Sequence, residues 1–203
     1  MKVLSIDFDY IMAPCIKLYN SSVCGSENST VVWNKLEQEN GIDKFLSYDA
    51  FSLAKIFEVV IKNALKGAEF ITIESHEQIV KCLPNDEKID LVNVDFHHDI
   101  MYNNSSVQSI LDQDEYNCAD WVGYLHLKQR LNSYKWVKAA QSDMYFDDGN
   151  IGIKFEVAGR QSLPELKDDF DYVVLCLSPQ WVPYKYHHLY ELLVQTVKQI
   201  KAG

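Results

Sequence analysis

Three stretches of this chain are apolar almost without a break: VLSIDFDYI (3–11), IDLVNVDF (89–96) and FDYVVLCLS (170–178). A strand with one face in water alternates apolar and polar side chains, whereas a strand covered on both faces need not. Around these runs lie segments with apolar residues at helical spacing. LAKIFEVVIKNALK (53–66) is one, with Gly67 as its stop, and YHHLYELLVQTVKQIK (186–201) is another. Buried strands alternating with helices call for a three-layer α/β/α fold with a mainly parallel sheet. FITIES (70–75) and YKWVKAA (134–140) add strands, NCADWVGYLHLKQRL (117–131) adds a helix, and HEQIVKCL reads as a short helix closed by Pro84. NIGIKFEV (150–157) alternates and reads as an edge strand. Residues 13–34 are polar and turn-rich and read as a long loop. No repeat, low-complexity tract or interior linker divides the chain, so one domain is expected over residues 1–203.

Composition narrows the function classes. A net charge of −10 argues against nucleic-acid binding, which calls for basic patches. It suits a cationic substrate, or acids gathered around metal ions. Five cysteines, an odd number without tight spacing, fit a reducing cytoplasmic setting better than a disulfide framework. Cys15 and Cys24 lack the C-x-x-C spacing of a structural zinc site. No basic and apolar leader opens the sequence, and no window reaches the roughly 18 apolar residues of a membrane span, so neither signal peptide nor membrane partner is expected.

In open parallel sheets, sites form beyond the C-terminal ends of the strands. Three strand ends here carry potential ligands: Ser5-Ile6-Asp7-Phe8-Asp9, Ile73-Glu74-Ser75-His76, and Val94-Asp95-Phe96-His97-His98-Asp99. Asp7 and Asp9 stand two apart and would share a strand face. Ionised aspartates side by side repel each other and are costly to desolvate, and a bound cation removes that cost. Carboxylate and imidazole without thiolate suit manganese or zinc. Six such ligands exceed what one tetrahedral zinc needs. They suit two cations about 3.5–4 Å apart that share carboxylates and a water. Each motif alone has an ordinary reading, as a cap, a turn or a hydrogen-bonded histidine. The argument rests on their joint occurrence.

The VDFHHD of residues 94–99 resembles the D-x-H-x-D signature of the arginase/deacetylase (ureohydrolase) superfamily, and SIDFD (5–9) resembles its S-x-D-x-D. His76 sits where that family has a histidine after the preceding strand. The Asp-Trp-Val of NCADWVGYL, the Lys-Trp-Val of YKWVK and the LSPQWVP near the end resemble a divergent branch that includes peptide arginases, which convert arginine to ornithine within ribosomally made peptides. The resemblance implies two manganese ions. His76, Asp95, Asp99 and Asp7 would hold one, and His97, Asp95, Asp7 and Asp9 the other, with Asp95 and Asp7 bridging. The sequence departs from the family in three ways. The paired-aspartate strand comes first in the chain rather than late, which would place the N-terminal strand inside the sheet. The glycine-rich G-G-D-H is replaced by Glu74-Ser75-His76. The strand expected to offer an acid to the guanidinium ends Leu177-Ser178-Pro179-Gln180, without a carboxylate.

The chemistry implied is hydrolysis of the guanidinium of an arginine-containing peptide to ornithine and urea, by a hydroxide that two cations generate from a shared water. Asp9 would help steady the intermediate. His126 and His98 are candidate proton carriers. His98 falls on the variable middle position of the signature and reads equally as a residue behind the ligands, and His126 as one facing solvent. Glu74 and Asp120 could pair with the guanidinium, while Glu27 reads as a solvated acid. Trp121 and Trp181 could flank the arginine stem or belong to the core. The 13–34 loop is a candidate rim for a peptide, and the edge strand near Ile151–Val157 a candidate partner for an extended one. Three other readings stay open. One is a single-zinc deacylase of the same superfamily, which would leave His76 and one aspartate unused. Another is a small-molecule ureohydrolase, and the third a metal- or peptide-binding module without turnover. The oligomeric state is left open.

Overall fold

The computed structural model describes residues 1–12, 31, 33–35, 38, 48–101, 107–140, 142, 151–166 and 169–203. Six strands form one sheet in which every neighbouring pair is parallel: β1 (Lys2–Asp7), β2 (Glu69–Ile73), β3 (Ile89–Asp95), β4 (Leu131–Lys138), β5 (Glu156–Gly159) and β6 (Tyr172–Cys176). Their order is β2-β6-β1-β3-β4-β5. The N-terminal strand therefore lies inside the sheet, with Asp7 opposite Cys176 on one side and Ile6 opposite Val94 on the other.

Helices cover both faces, giving the three-layer α/β/α arrangement. On one face α1 (Ala50–Leu65) and α5 (His187–Ala202) pack together over Leu4, Ile6, Val94, Val137, Val173 and Leu175. On the other, α2 (Ile79–Cys82), α3 (Val107–Gln113) and α4 (Trp121–Leu127) cover Val3, Ile89, Leu91, Tyr134, Trp136 and Val174. The central strands are thus apolar at both parities, which is why they lack alternation. Side chains on a strand repeat every two residues. Counting on from Val3, Ile89 and Val174 puts Ser5, Asp7, Asn93, Asp95 and Cys176 on the α4 side, at the C-terminal ends of three adjacent strands. Asp49 begins α1 by accepting from Phe51 N and Ser52 N at 3.1 and 3.2 Å, a cap worth about 1 kcal/mol. Gly67, at φ 91°, ends that helix as expected.

Several boundaries differ from the sequence reading. The strand expected to run to Ile11 stops at Asp7, and Phe8–Ile11 form a 3-10 turn. Asp7 causes this itself, because its Oδ1 accepts the Asp9 N–H at 3.1 Å and folds the chain back. Asp7 and Asp9 therefore do not share a strand face. The expected 150–157 edge strand is a shorter one, Glu156–Gly159, paired only with β4. The expected 117–131 helix is confined to Trp121–Leu127, since the chain before it is occupied in turns. Of the expected 13–34 loop, residues 13–30 lie outside the described residues, while Val31, Trp33 and Asn34 are helical and Trp33 is buried. No helix among the described residues is long and apolar enough to cross a membrane.

Candidate metal centre

Three chain segments converge beyond the C-terminal ends of β1, β2 and β3. The turn after β1 brings Asp7 and Asp9, the 3-10 turn His76–Gln78 after β2 brings His76, and the bend after β3 brings His97 and Asp99 to join Asp95. The structure collects all six into two overlapping groups. His76 Nδ1 lies 3.3 Å from Asp7 Oδ2, 3.0 Å from Asp95 Oδ2 and 3.0 Å from Asp99 Oδ2. His97 Nδ1 lies 3.1 Å from Asp9 Oδ2 and 3.8 Å from Asp95 Oδ1. Asp95 belongs to both groups, and it turns a different oxygen to each.

All six except His97, which is partly exposed, are buried. Burial raises the Asp7 and Asp9 carboxyls well above the ordinary range, and the Asp95 charge raises both further. Burial and Asp95 likewise push Asp99 up to about 8. Burial opposes a charge on His76, but its hydrogen bonds to Asp95 and Asp99 outweigh that and hold its pKa well above the usual value. Burial also opposes a charge on Asp95, but the same hydrogen bond and the imidazole charges bring its carboxyl down to about 2. Ionised together, four buried carboxylates against two imidazoles would leave negative charge uncompensated, which a low-dielectric interior tolerates poorly, and the raised carboxyls express that cost.

These residues fit a pair of divalent cations. Asp9 Oδ2 is buried and has no hydrogen-bond partner among the described residues, although it stands 3.1 Å from His97 Nδ1. Ligand atoms at right angles around a cation with bonds of about 2.1 Å stand about 3.0 Å apart. The separations at His76 and between His97 and Asp9 are close to that spacing, while His97 to Asp95 Oδ1, at 3.8 Å, is wider. The donor set, oxygen and imidazole, is that of manganese or zinc.

Comparison with protein-family models, curated proteins and solved structures returned no match.

A layer of polar side chains fixes the ligands from behind. Ser5 Oγ lies 2.7 Å from His76 Nε2, and Ser178 donates to Asp7 Oδ2 at 2.5 Å. Asn93 Nδ2 donates to Asp95 Oδ2 at 3.1 Å, and the His97 N–H to Asp95 Oδ1 at 2.8 Å. Such partners orient a ligand and tune its basicity. Trp136 donates to the Asp95 carbonyl at 3.0 Å, which holds the end of β3 in place. Asp99 sits at φ 50° and Ser178 at φ 47°, a left-handed backbone that the surrounding contacts must enforce. Of these supports, Ser5 falls within the quoted S-x-D-x-D motif. Asn93 stands two residues before Asp95 on β3 and so extends the same spacing, whereas Ser178 and Cys176, which is grouped with Asp7 and His76, are brought in by tertiary packing.

A cavity of about 220 Å³ opens onto the centre. Asp7, His76, His97 and Asp99 form its floor, with Ser75, Cys118, Ala119, Ser178, Gln180 and Trp181 around them. Trp181 is the one proposed substrate contact in this wall, with its ring 4.6 Å from that of His97. The other candidates lie elsewhere. Glu74 is exposed and lines a separate groove. Asp120 is buried, with Oδ1 accepting from Asn117 N at 2.6 Å in its own turn. Trp121 is fully buried and donates to Asp99 Oδ2, so it contacts a ligand rather than the cavity. His98 is buried against Trp136, with Nδ1 accepting from Ile100 N at 3.1 Å. His126 bonds the Ile151 carbonyl at 3.1 Å. Their local bonds turn these side chains away from the cavity. Glu27 and most of the proposed rim loop lie outside the described residues, and Ile151–Phe155 form no strand.

Proposed function

We propose that this protein is a two-metal hydrolase of the arginase type that cleaves the guanidinium of an arginine side chain within a peptide, giving ornithine and urea. The single observation that carries the reading is the position of Asp95, with Oδ2 facing His76 and Oδ1 facing His97. A carboxylate so placed is what a shared centre needs, and one tetrahedral ion would leave His76 and at least one aspartate idle. Two divalent cations, manganese on the family resemblance, would supply an activated water and positive charge for attack on the guanidinium carbon.

The chain's own groups account for the rest. Ser178 engages Asp7, which fixes the direction of that carboxylate. The Trp181 ring beside His97 offers a flat face to a guanidinium plane at the cavity wall. Gln180 offers an amide oxygen that can accept from guanidinium N–H groups, where the family would place an acid. A cavity of about 220 Å³ suits one side chain better than a folded partner, which supports a substrate that presents its arginine from an exposed segment.

The single-zinc deacylase reading is disfavoured by His76, which faces three carboxylates and is held by Ser5 rather than standing idle. The deciding experiment is urea release by the manganese-loaded protein from an arginine-containing peptide and from free arginine in parallel. Release from the peptide is the expected result. Release from free arginine alone would make it a small-molecule ureohydrolase, and no release from either would overturn the arginase reading.

A further inference from the structure

β2 is one edge of the sheet, a short strand whose one charged side chain is Glu69 at its start. Its sequence, EFITI, has no proline and no lysine. Glu69 N donates to Asp171 O at 2.8 Å and Ile73 O accepts from Leu177 N at 3.0 Å, so the odd-numbered residues point their backbone groups at β6. By alternation, Phe70 and Thr72 turn their N–H and C=O groups outward. No hydrogen bond to either backbone is made among the described residues. One residue further on the edge closes, because Glu74 N–H is taken by the Gln78 side chain.

Beside this edge runs a groove between the sheet and α5. Two cavities of about 330 and 320 Å³ share Thr72 and Val194 and so adjoin along this edge. The floor of the groove is apolar, with Phe70, Leu175, Leu177 and Val197. Its charges are polarised. Lys198 and Lys201 line one end and Glu74 the other. Lys201 is tied to the Ala68 carbonyl and stands over the Phe70 ring, whereas Lys198 makes no ion pair among the described residues. Two lysines lining one end of a groove are notable in a chain of net charge −10. The other end of the groove is marked by Glu74, and the next two residues along the chain, Ser75 and His76, line the separate cavity at the metal centre.

We propose that the β2 edge and this groove bind the substrate peptide itself, as an added strand whose acidic segment lies over Lys198 and Lys201 and whose arginine reaches the cavity past Ser75. This rests on the peptide reading of the function. An extended chain on Phe70 and Thr72 gains main-chain hydrogen bonds, and every second side chain drops into the groove. The path from Phe70 to His76 spans about 20 Å, so the acidic segment lies about six residues from the arginine.

The test is fluorescence anisotropy with labelled, metal-free protein-compatible probes: one-arginine peptides carrying a glutamate cluster about six residues before or after the arginine. Two variants are used. Thr72→Pro removes an outward N–H that no ladder bond uses, and Lys198→Glu cancels the positive charge at the basic end of the groove, where Lys201 remains. Binding of at least one peptide to the native protein, weakened about tenfold by each variant, is expected. Absence of binding, or equal binding by the variants, overturns the proposal. A dimer in solution that Thr72→Pro dissociates would give the edge to a second copy and also overturn it. Because binding is read without metal or turnover, this outcome is separate from urea release. A protein that binds the acidic peptide but releases no urea keeps the groove and loses the arginase reading.

Discussion

Trp121 donates its indole N–H to Asp99 Oδ2 at 2.7 Å, and that same oxygen lies 3.0 Å from His76 Nδ1. A side chain from the apolar layer under α4 thereby aims a ligand held at φ 50°. Trp121→Phe keeps most of the ring volume and removes the donor. The expected result is a fall of about tenfold or more in affinity for one of two manganese ions, with a stability loss of about 1–2 kcal/mol. Metal titration by calorimetry, beside a denaturant melt, reads both. Unchanged affinity for both ions would show that Asp99 is aimed by other contacts.

Asp9 is expected to trade stability for binding. Its carboxylate is buried, with Oδ2 lacking a hydrogen-bond partner among the described residues and Asp95 opposing its charge. Asp9→Asn should stabilise the metal-free protein by about 1 kcal/mol or more and raise its melting temperature by a few degrees. The same change should abolish binding of the ion on the His97 side. Melting curves with and without manganese decide it. A metal-free variant less stable than the parent would contradict the electrostatic account of the site.

The metal-free protein should lose stability as pH rises. Asp99 has an ordinary value of 3.8 and a folded value of about 8. Between those values the folded state keeps a proton that the unfolded chain has released, so stability declines across that window. Asp7 and Asp9 are raised in the same sense, and the contribution of His76 is lost as pH rises through its own raised value. Asp95 works the other way, but its effect is complete above 3.8. Melting temperatures should therefore drop from about pH 5 to about pH 8 without metal. Saturating manganese, which displaces those protons, should remove the drop. A flat metal-free profile would speak against buried, protonated carboxyls.

Gly123 marks a close backbone approach. A Cβ there would stand 2.0 Å from the Ile100 carbonyl oxygen, and the next-door Val122 N–H donates to Asp99 O at 3.0 Å. Gly123→Ala must push α4 away from the bend that carries Asp99. The expected cost is about 1–3 kcal/mol, together with weaker binding on the His76 side. A variant of parental stability and full metal stoichiometry would mean that this bend is free to move.

The sheet and most of the Asp and His cluster were legible in the sequence because they leave local signatures, whereas the role of His76 rested on resemblance. Doubly covered strands lose their alternation, and Asp95, His97 and Asp99 keep a two-residue spacing just where β3 ends. The shape of the N-terminal ligand pair was not legible. Asp7-x-Asp9 reads as one strand face, yet the Asp7 side chain captures the Asp9 N–H and ends the strand. The surrounding residues were less legible still. Asp120 and Trp121 are the residue types that hold a guanidinium, but their partners, Asn117 N and Asp99, turn them inward. Ser178 lies far from Asp7 in sequence, and only the pairing of β6 with β1 brings its hydroxyl to that carboxylate. Direction is a tertiary property, and residue type carries none of it.

The position of β1 has a consequence for how the protein is made. Both strands that flank it, β3 and β6, come later in the chain, and β6 ends at Cys176. Asp7 is synthesised long before the Ser178 hydroxyl that orients it, which follows 171 positions later. The first ligands made must wait, exposed and unpaired, for the last support to appear. The Asp and His cluster is thus completed only once β6 has joined the sheet, and a nascent protein stalled before β6 should lack its final geometry.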